Sequence, residues 1–291
     1  MAGARLLRTT ALTVGALGGL SSAAYGLLSE QSRRARRVIG IPESPPLNAD
    51  GVYTPEHQSR EVAPLRFAVL GDSSAAGLGV DTPEQLPGVL LARGLAEEAG
   101  RPVRLSTYAV SGSTTRDLAE QVDLAVADPP DLALLIIGAN DVTVKLGVRT
   151  SARLLGEQVD RLHAAGIALV MGTCPDLGAI RPIPQPLRSI AGEWSRMLAK
   201  AQRAEVLRAG AVPVPLADLL SPEFFTRPAE LFSKDRFHPN AAGYEAAAAV
   251  LLAPLCAAAG IWSAPVRPAT VDQPRPAFSL IEGAGPVGLA T

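Results

Sequence analysis

Residues 65–77 read LRFAVLGDSSAAG, a nearly unbroken apolar run that passes directly into a turn of Gly, Asp, Ser and Ala. A run this short, apolar on successive residues and closed by glycine, predicts a strand covered on both faces. The pattern recurs at VRLSTYAV (103–110), LALLIIG (132–138), IALVMGT (167–173) and AVPVPLA (211–217). Longer stretches rich in Ala, Leu, Glu and Arg separate the runs and have helical character. Parallel strands require such crossover connections, so the alternation predicts a three-layer α/β/α sandwich on a five-stranded parallel sheet. Pro213 and Pro215 cannot donate to a ladder, which sends the last strand to an edge.

The chain has 291 residues, enough for one catalytic domain and tight for two. A net charge of -1 offers no excess to draw the molecule to nucleic acid, which is not expected as a partner. Hydrophobic residues at 47% exclude global disorder, and aromatics at 4% leave little material for a sugar-stacking or base-stacking platform. Both cysteines, Cys174 and Cys256, sit in apolar sequence, which favours buried free thiols over a disulfide. No metal-ligand spacing surrounds either, and no metal is expected.

Four segments follow from composition: an N-terminal signal or membrane-anchor segment with a basic flank (1–40), a Pro-containing linker (41–64), the domain (65–262) and a Pro/Ala/Gly-rich mobile tail (263–291). Within the first, residues 9–28 carry no charge and are about long enough to span a membrane, behind Arg5 and Arg8. Ser22-Ala23-Ala24 would suit signal cleavage, whereas Arg33, Arg34, Arg36 and Arg37 would hold that flank in the cytoplasm. Membrane anchoring or export is expected, with the side left open.

Sites in open parallel sheets form beyond the carboxyl ends of the strands. The first strand is followed by Gly71-Asp72-Ser73-Ser74, where a serine at a strand-to-helix turn can project its hydroxyl over the sheet edge. The second is followed by Ser111-Gly112-Ser113, where Gly112 can present a backbone N–H to an anion. The third is followed by Gly138-Ala139-Asn140-Asp141, whose Asn amide can donate to developing negative charge. Each loop alone also reads as an ordinary cap or turn. Far along the chain, Asp235-Arg236-Phe237-His238-Pro239 is different. Only His238, of three histidines, combines a carboxylate three positions earlier with a following proline. That spacing can set Asp235 against one imidazole nitrogen and leave the other free to take a proton. His163 reads as a solvent-side helix residue and His57 as part of the linker.

Together the four blocks resemble the SGNH, or GDSL-type, hydrolase family, and they occur in its order over roughly residues 65–259. The resemblance implies Ser73 as nucleophile, His238 as general base and Asp235 as its partner. It implies an oxyanion hole made by the N–H groups of Ser73 and Gly112 and the Asn140 side chain. It further implies a flavodoxin-like strand order, a shallow exposed site, no cofactor, and carboxylic esters or thioesters as small-molecule substrates, with short acyl or acetyl esters expected here. Carbohydrate O-deacetylase and lipase or thioesterase activities stay open within that class. Outside it stand a phosphate-binding module of the same fold, which needs no Asp-x-x-His block, and a catalytically silent relative.

Overall fold

The computed structural model describes residues 22–40, 46–57 and 62–262. The expected N-terminal segment before residue 22 and the expected tail at 263–291 lie outside the described residues. In chain order the described elements are helix α1 (22–39), β1 (Gly51–Tyr53), β2 (Leu65–Gly71), α2 (Pro87–Ala99), β3 (Val103–Thr107), α3 (Leu118–Ala127), β4 (Leu132–Ile136), α4 (Ala139–Thr143), α5 (Val148–Ala164), β5 (Ala168–Gly172), α6 (Leu187–Arg208), β6 (Val212–Val214), α7 (Leu216–Thr226), α8 (Pro228–Leu231) and α9 (Ala241–Ala258).

Alternation along the central strands divides the core into two layers. Leu65, Phe67 and Val69 of β2, with Leu132 and Leu134 of β4, pack against Leu91 and Leu95 of α2 and Leu251 and Leu255 of α9. Ala68, Leu70, Ala133 and Leu135 face the other way, onto Leu118 of α3, Leu155 and Val159 of α5 and Val206 of α6. Both faces are therefore covered, which is why these strands read as continuous apolar runs. In α5 the buried positions Ala152, Leu155, Val159 and Leu162 form one helical stripe, while His163 lies outside it and is exposed, as the sequence predicts. Helix α9 is long and apolar enough to cross a membrane, yet it packs against α2 and the sheet.

The sheet runs β1-β3-β2-β4-β5-β6. Its five parallel strands have the expected flavodoxin-like order, and β6 with Pro213 lies at the edge. A sixth strand corrects the five-strand expectation. β1, inside the stretch expected as a linker, pairs antiparallel with β3, Gly51 against Leu105. Three residues are too few to show a period, so only the pairing with β3 reveals it.

The N-terminal helix is an addition outside this sandwich. Its buried Ala35 joins a third cluster with Val142 of α4, Leu177, Ile183 and Leu198 of α6. Gln31 fixes it by donating from Nε2 to the Gln185 carbonyl at 2.6 Å and accepting from the Leu187 N–H at 3.0 Å. Cys174 and Cys256 are both buried free thiols.

Candidate active site

β2 must end abruptly for its serine to face outward, and Gly71 allows this. Its φ is +133°, and a Cβ there would lie 1.9 Å from the Ile136 carbonyl oxygen of β4, so no side chain fits. The chain turns at once: the Asp72 N–H donates to that carbonyl at 3.0 Å, and Ser73 follows at the sheet edge. Gly138, at φ +134°, makes the equivalent turn after β4, where a Cβ would meet Gln202 and Cys174 at 2.9 and 3.0 Å.

The segment 233–239 closes on itself from the opposite end of the chain. Phe232 bridges Pro239, and the Ser233 N–H donates to the His238 carbonyl at 2.8 Å. Arg236, between Asp235 and His238, takes φ +56°, a left-handed conformation that costs a non-glycine residue on the order of 1–2 kcal/mol. This tight loop aims the imidazole. His238 Nδ1 lies 2.6 Å from Asp235 Oδ2, and His238 Nε2 lies 2.9 Å from Ser73 Oγ. Asp235 Oδ1 accepts from the N–H groups of Phe237 and His238 at 2.8 and 2.9 Å and from the Ser233 hydroxyl at 2.7 Å. Burial opposes charge on Asp235, but bonds from the His238 ring, these two amides and Ser233 outweigh it and hold its pKa well below the usual carboxylate range.

Ser73 and His238 are each only 6% exposed, so the pair is recessed. Its cover is local. Phe237 stands edge-on to the imidazole with ring centroids 4.8 Å apart, and Gly79 approaches so closely that a Cβ would lie 2.4 Å from the Pro239 carbonyl.

The other two strand-end loops are tied to the serine turn by side chains that sequence reasoning missed. Gln121 of α3 accepts from the Gly71 N–H at 2.7 Å and donates to the Gly71 carbonyl at 2.9 Å and to Ser113 Oγ at 3.2 Å. Asn140 Nδ2 donates to the Ser113 carbonyl at 3.0 Å, which leaves its second N–H available. Asp141, fully buried, accepts from the Thr115 N–H at 2.8 Å, from the Thr115 hydroxyl, and from the Ser151 hydroxyl at 2.7 Å. Gln202 of α6 links the ends of β4 and β5, donating to the Ile137 carbonyl and accepting from the Cys174 N–H at 2.9 and 2.8 Å. A signal for these residues existed: Gln121, Ser151 and Gln202 are polar groups on the buried stripes of their helices. The backbone N–H groups of Ser73 and Gly112 donate to none of the described residues.

Asp72, 1% exposed, has its pKa raised to about 6 by burial. The Ser74 amide, the His238 charge and the Gly138 amide pull it back, and Asp141 pushes it further up. Beside Ser74 an apolar cavity of about 100 Å³ opens between Ile136, Leu177, Phe224 and Phe237. Among the described residues no group of three or more His, Cys, Asp or Glu side chains could hold a metal.

Comparison with known proteins bears on the family and the fold. The GDSL-like lipase/acylhydrolase family profile matches residues 69–246. The chain is 46% identical over 250 residues to the GDSL-like esterase Rv1075c of Mycobacterium tuberculosis, covering 82% of this chain and 80% of that one. Among solved structures, the lipase/acylhydrolase from Enterococcus faecalis superposes with a TM-score of 0.53 at 21% identity, covering 65% of this chain and 94% of the other. Phospholipase A1 from Streptomyces albidoflavus also gives 0.53, at 18% identity, covering 66% and 100%. At these identities the two structures speak for the fold alone.

Proposed function

The chain belongs to the GDSL-like lipase/acylhydrolase family and is an ester hydrolase, and on that premise we propose that it cleaves short-chain acyl or acetyl esters through a Ser73 acyl-enzyme. The observation that carries this reading is the hydrogen-bonded relay from Asp235 through His238 to Ser73, at 2.6 and 2.9 Å. His238 Nε2 takes the hydroxyl proton as Ser73 Oγ bonds to the ester carbonyl carbon. Asp235 keeps the proton on Nδ1 and stabilises the imidazolium. The carbonyl oxygen, now an oxyanion, receives the N–H groups of Ser73 and Gly112 and the second Nδ2–H of Asn140. Collapse breaks the bond to the alcohol, which leaves with the proton from His238. Water then repeats the sequence and releases the acid and free Ser73. The cavity of about 100 Å³ beside Ser74, smaller than a dry cavity of ~150 Å³ known to hold benzene, supports a short acyl group.

Hydrolysis of p-nitrophenyl esters of increasing acyl length tests the reading. Ser73→Ala should lose on the order of 10⁶-fold in kcat, and Asn140→Ala about 10²–10³-fold, with both variants folded. Equal small losses would overturn these roles. A fluorophosphonate probe should label Ser73, whereas a phosphate-binding module offers no activated serine. The part of the uncharged stretch 9–28 that precedes α1, behind Arg5 and Arg8, further supports membrane anchoring or export, while residues 22–28 belong to the docked helix. Fractionation of cells expressing the full chain should recover it with membranes or outside the cytoplasm, and a purely cytosolic soluble pool would refute this.

A further inference from the structure

Helix α6 carries Arg188, Gly192 and Arg196 at four-residue intervals, a spacing that puts all three on one face. Gly192 packs directly on the turn Leu177–Ala179, where its Cβ would lie 3.0 Å from the Gly178 Cα. This contact draws the segment that bears Arg181 against the same face. Between them lies a hollow of about 240 Å³, walled by Arg181, Gln185, Arg188, Ser189 and Arg196, and no acidic side chain lines it.

The three guanidinium groups are not equivalent. Arg196 is committed to carboxylates, donating to Asp176 Oδ2 at 2.9 Å and to Glu193 Oε2 at 2.8 Å. Asp176 is occupied in turn: its other oxygen accepts from the Gly178 N–H at 2.7 Å, and its side chain is only 7% exposed. Arg181 gives one N–H to the Phe225 carbonyl at 3.0 Å and meets no carboxylate among the described residues. The half-buried Arg188 has no acceptor for its guanidinium among them. Two positive charges therefore converge on one concave wall without a counter-charge. The first amides of α6 are already used, Leu187 N–H on Gln31 Oε1 and Ser189 N–H on Gln185 Oε1, so side chains would meet the anion.

Guanidinium forks match carboxylate and phosphate oxygens, and two of them balance a charge near −2. A phosphate monoester carries about −1.5 to −2 at neutral pH, more than a single carboxylate or a phosphodiester. The hollow is larger than a cavity of ~150 Å³ known to hold benzene, which leaves room for a substituent on the phosphoryl group. We propose that this hollow binds the phosphoryl group of a phosphate monoester through Arg181 and Arg188, whether the monoester is soluble or the headgroup of a lipid. It is separate from the cavity beside Ser74, since Leu177, Ala179 and Ile180 line that cavity while Gly178 and Arg181 line this one.

Calorimetric titration of the full chain in nonionic detergent reads the binding directly, with Ser73→Ala present so that no ester is turned over. Glycerol 3-phosphate and dihexanoyl phosphatidic acid share the phosphoryl chemistry and differ in source. At least one should bind saturably with a Kd on the order of 1 mM or tighter, and dimethyl phosphate, a monoanion, about tenfold more weakly than that probe. Arg188→Gln and Arg181→Gln should each weaken the binding about tenfold or more. Arg203→Gln removes another unpaired guanidinium of α6, outside the hollow, and should change it less than about twofold. Arg188 has no partner to lose, so its variant should keep the wild-type Tm, and lost binding there is not lost folding. A preference of about tenfold or more for the lipid assigns a membrane headgroup, and any smaller preference or the reverse assigns a soluble monoester. No saturable binding of either probe, equal affinity for dimethyl phosphate, indifference to Arg188→Gln and Arg181→Gln, or equal weakening by Arg203→Gln would overturn the site.

Discussion

Asp72 sits one residue from Ser73, the proposed nucleophile, and the fold tolerates its charge poorly. Burial raises its pKa from 3.8 to about 6, so the native state holds its proton more tightly than the unfolded chain does. The sign follows from linkage: between those two values the native state binds more protons, and stability falls as pH rises. Asp72→Asn cannot titrate. Urea unfolding from pH 4 to 7.5 should therefore show wild type losing on the order of 2–3 kcal/mol relative to Asp72→Asn, whatever the constant offset between the two. Asp235, held ionised by its donors, works in the opposite direction below pH 4, where protonation removes its contribution, but it does so in both proteins and cancels. A flat difference across this range would mean that water or a partner solvates Asp72 in the folded state.

At the scale of elements, the proposed catalytic groups ride on loops whose relative positions are fixed by buried polar ties. Asp141 is the densest of these, joining the loop before α3 to α4 and α5 through Thr115 and Ser151. Asp141→Ala strands the Thr115 N–H and loosens the loop that carries Gly112, for a loss of about 2–4 kcal/mol in stability. Because Asn140 adjoins it, kcat for ester hydrolysis should fall about tenfold or more while KM changes little. Asp141→Asn should recover much of both, since its amide oxygen can still accept from Thr115 and its nitrogen can donate to the hydroxyls. Equal damage from Ala and Asn would assign Asp141 a role through its charge instead. Ser73, Asp235 and His238, which the structure brings together, could be singled out in the sequence because the strand-end loops and the Asp-x-x-His spacing are local patterns whose order resembles that of the family. The ties were not, because Gln121 meets Gly71 across 50 residues and no local pattern carries that pairing.

Across the whole molecule the same division holds. The parallel sheet was readable because both faces of β2 and β4 are buried and their sequence shows it. β1 and α1 were not, since each is defined by where it docks. The docked helix is held less firmly than the core strand β4. β4 is buried along its whole length, whereas α1 buries only Gln31 and Ala35 among its described residues and keeps Tyr25, Leu27 and Val38 exposed. Little apolar area therefore resists its release, and the Gln31 bonds can be replaced by water. Native-state hydrogen exchange should show the amides of 22–39 opening at free energies on the order of 3 kcal/mol or more below those of β4, without global unfolding. Such an opening would also unroof the groove beside Phe237 that α1 walls. Protection of α1 equal to that of β4 would instead make the helix an integral part of the hydrolase core, despite how little of it is buried.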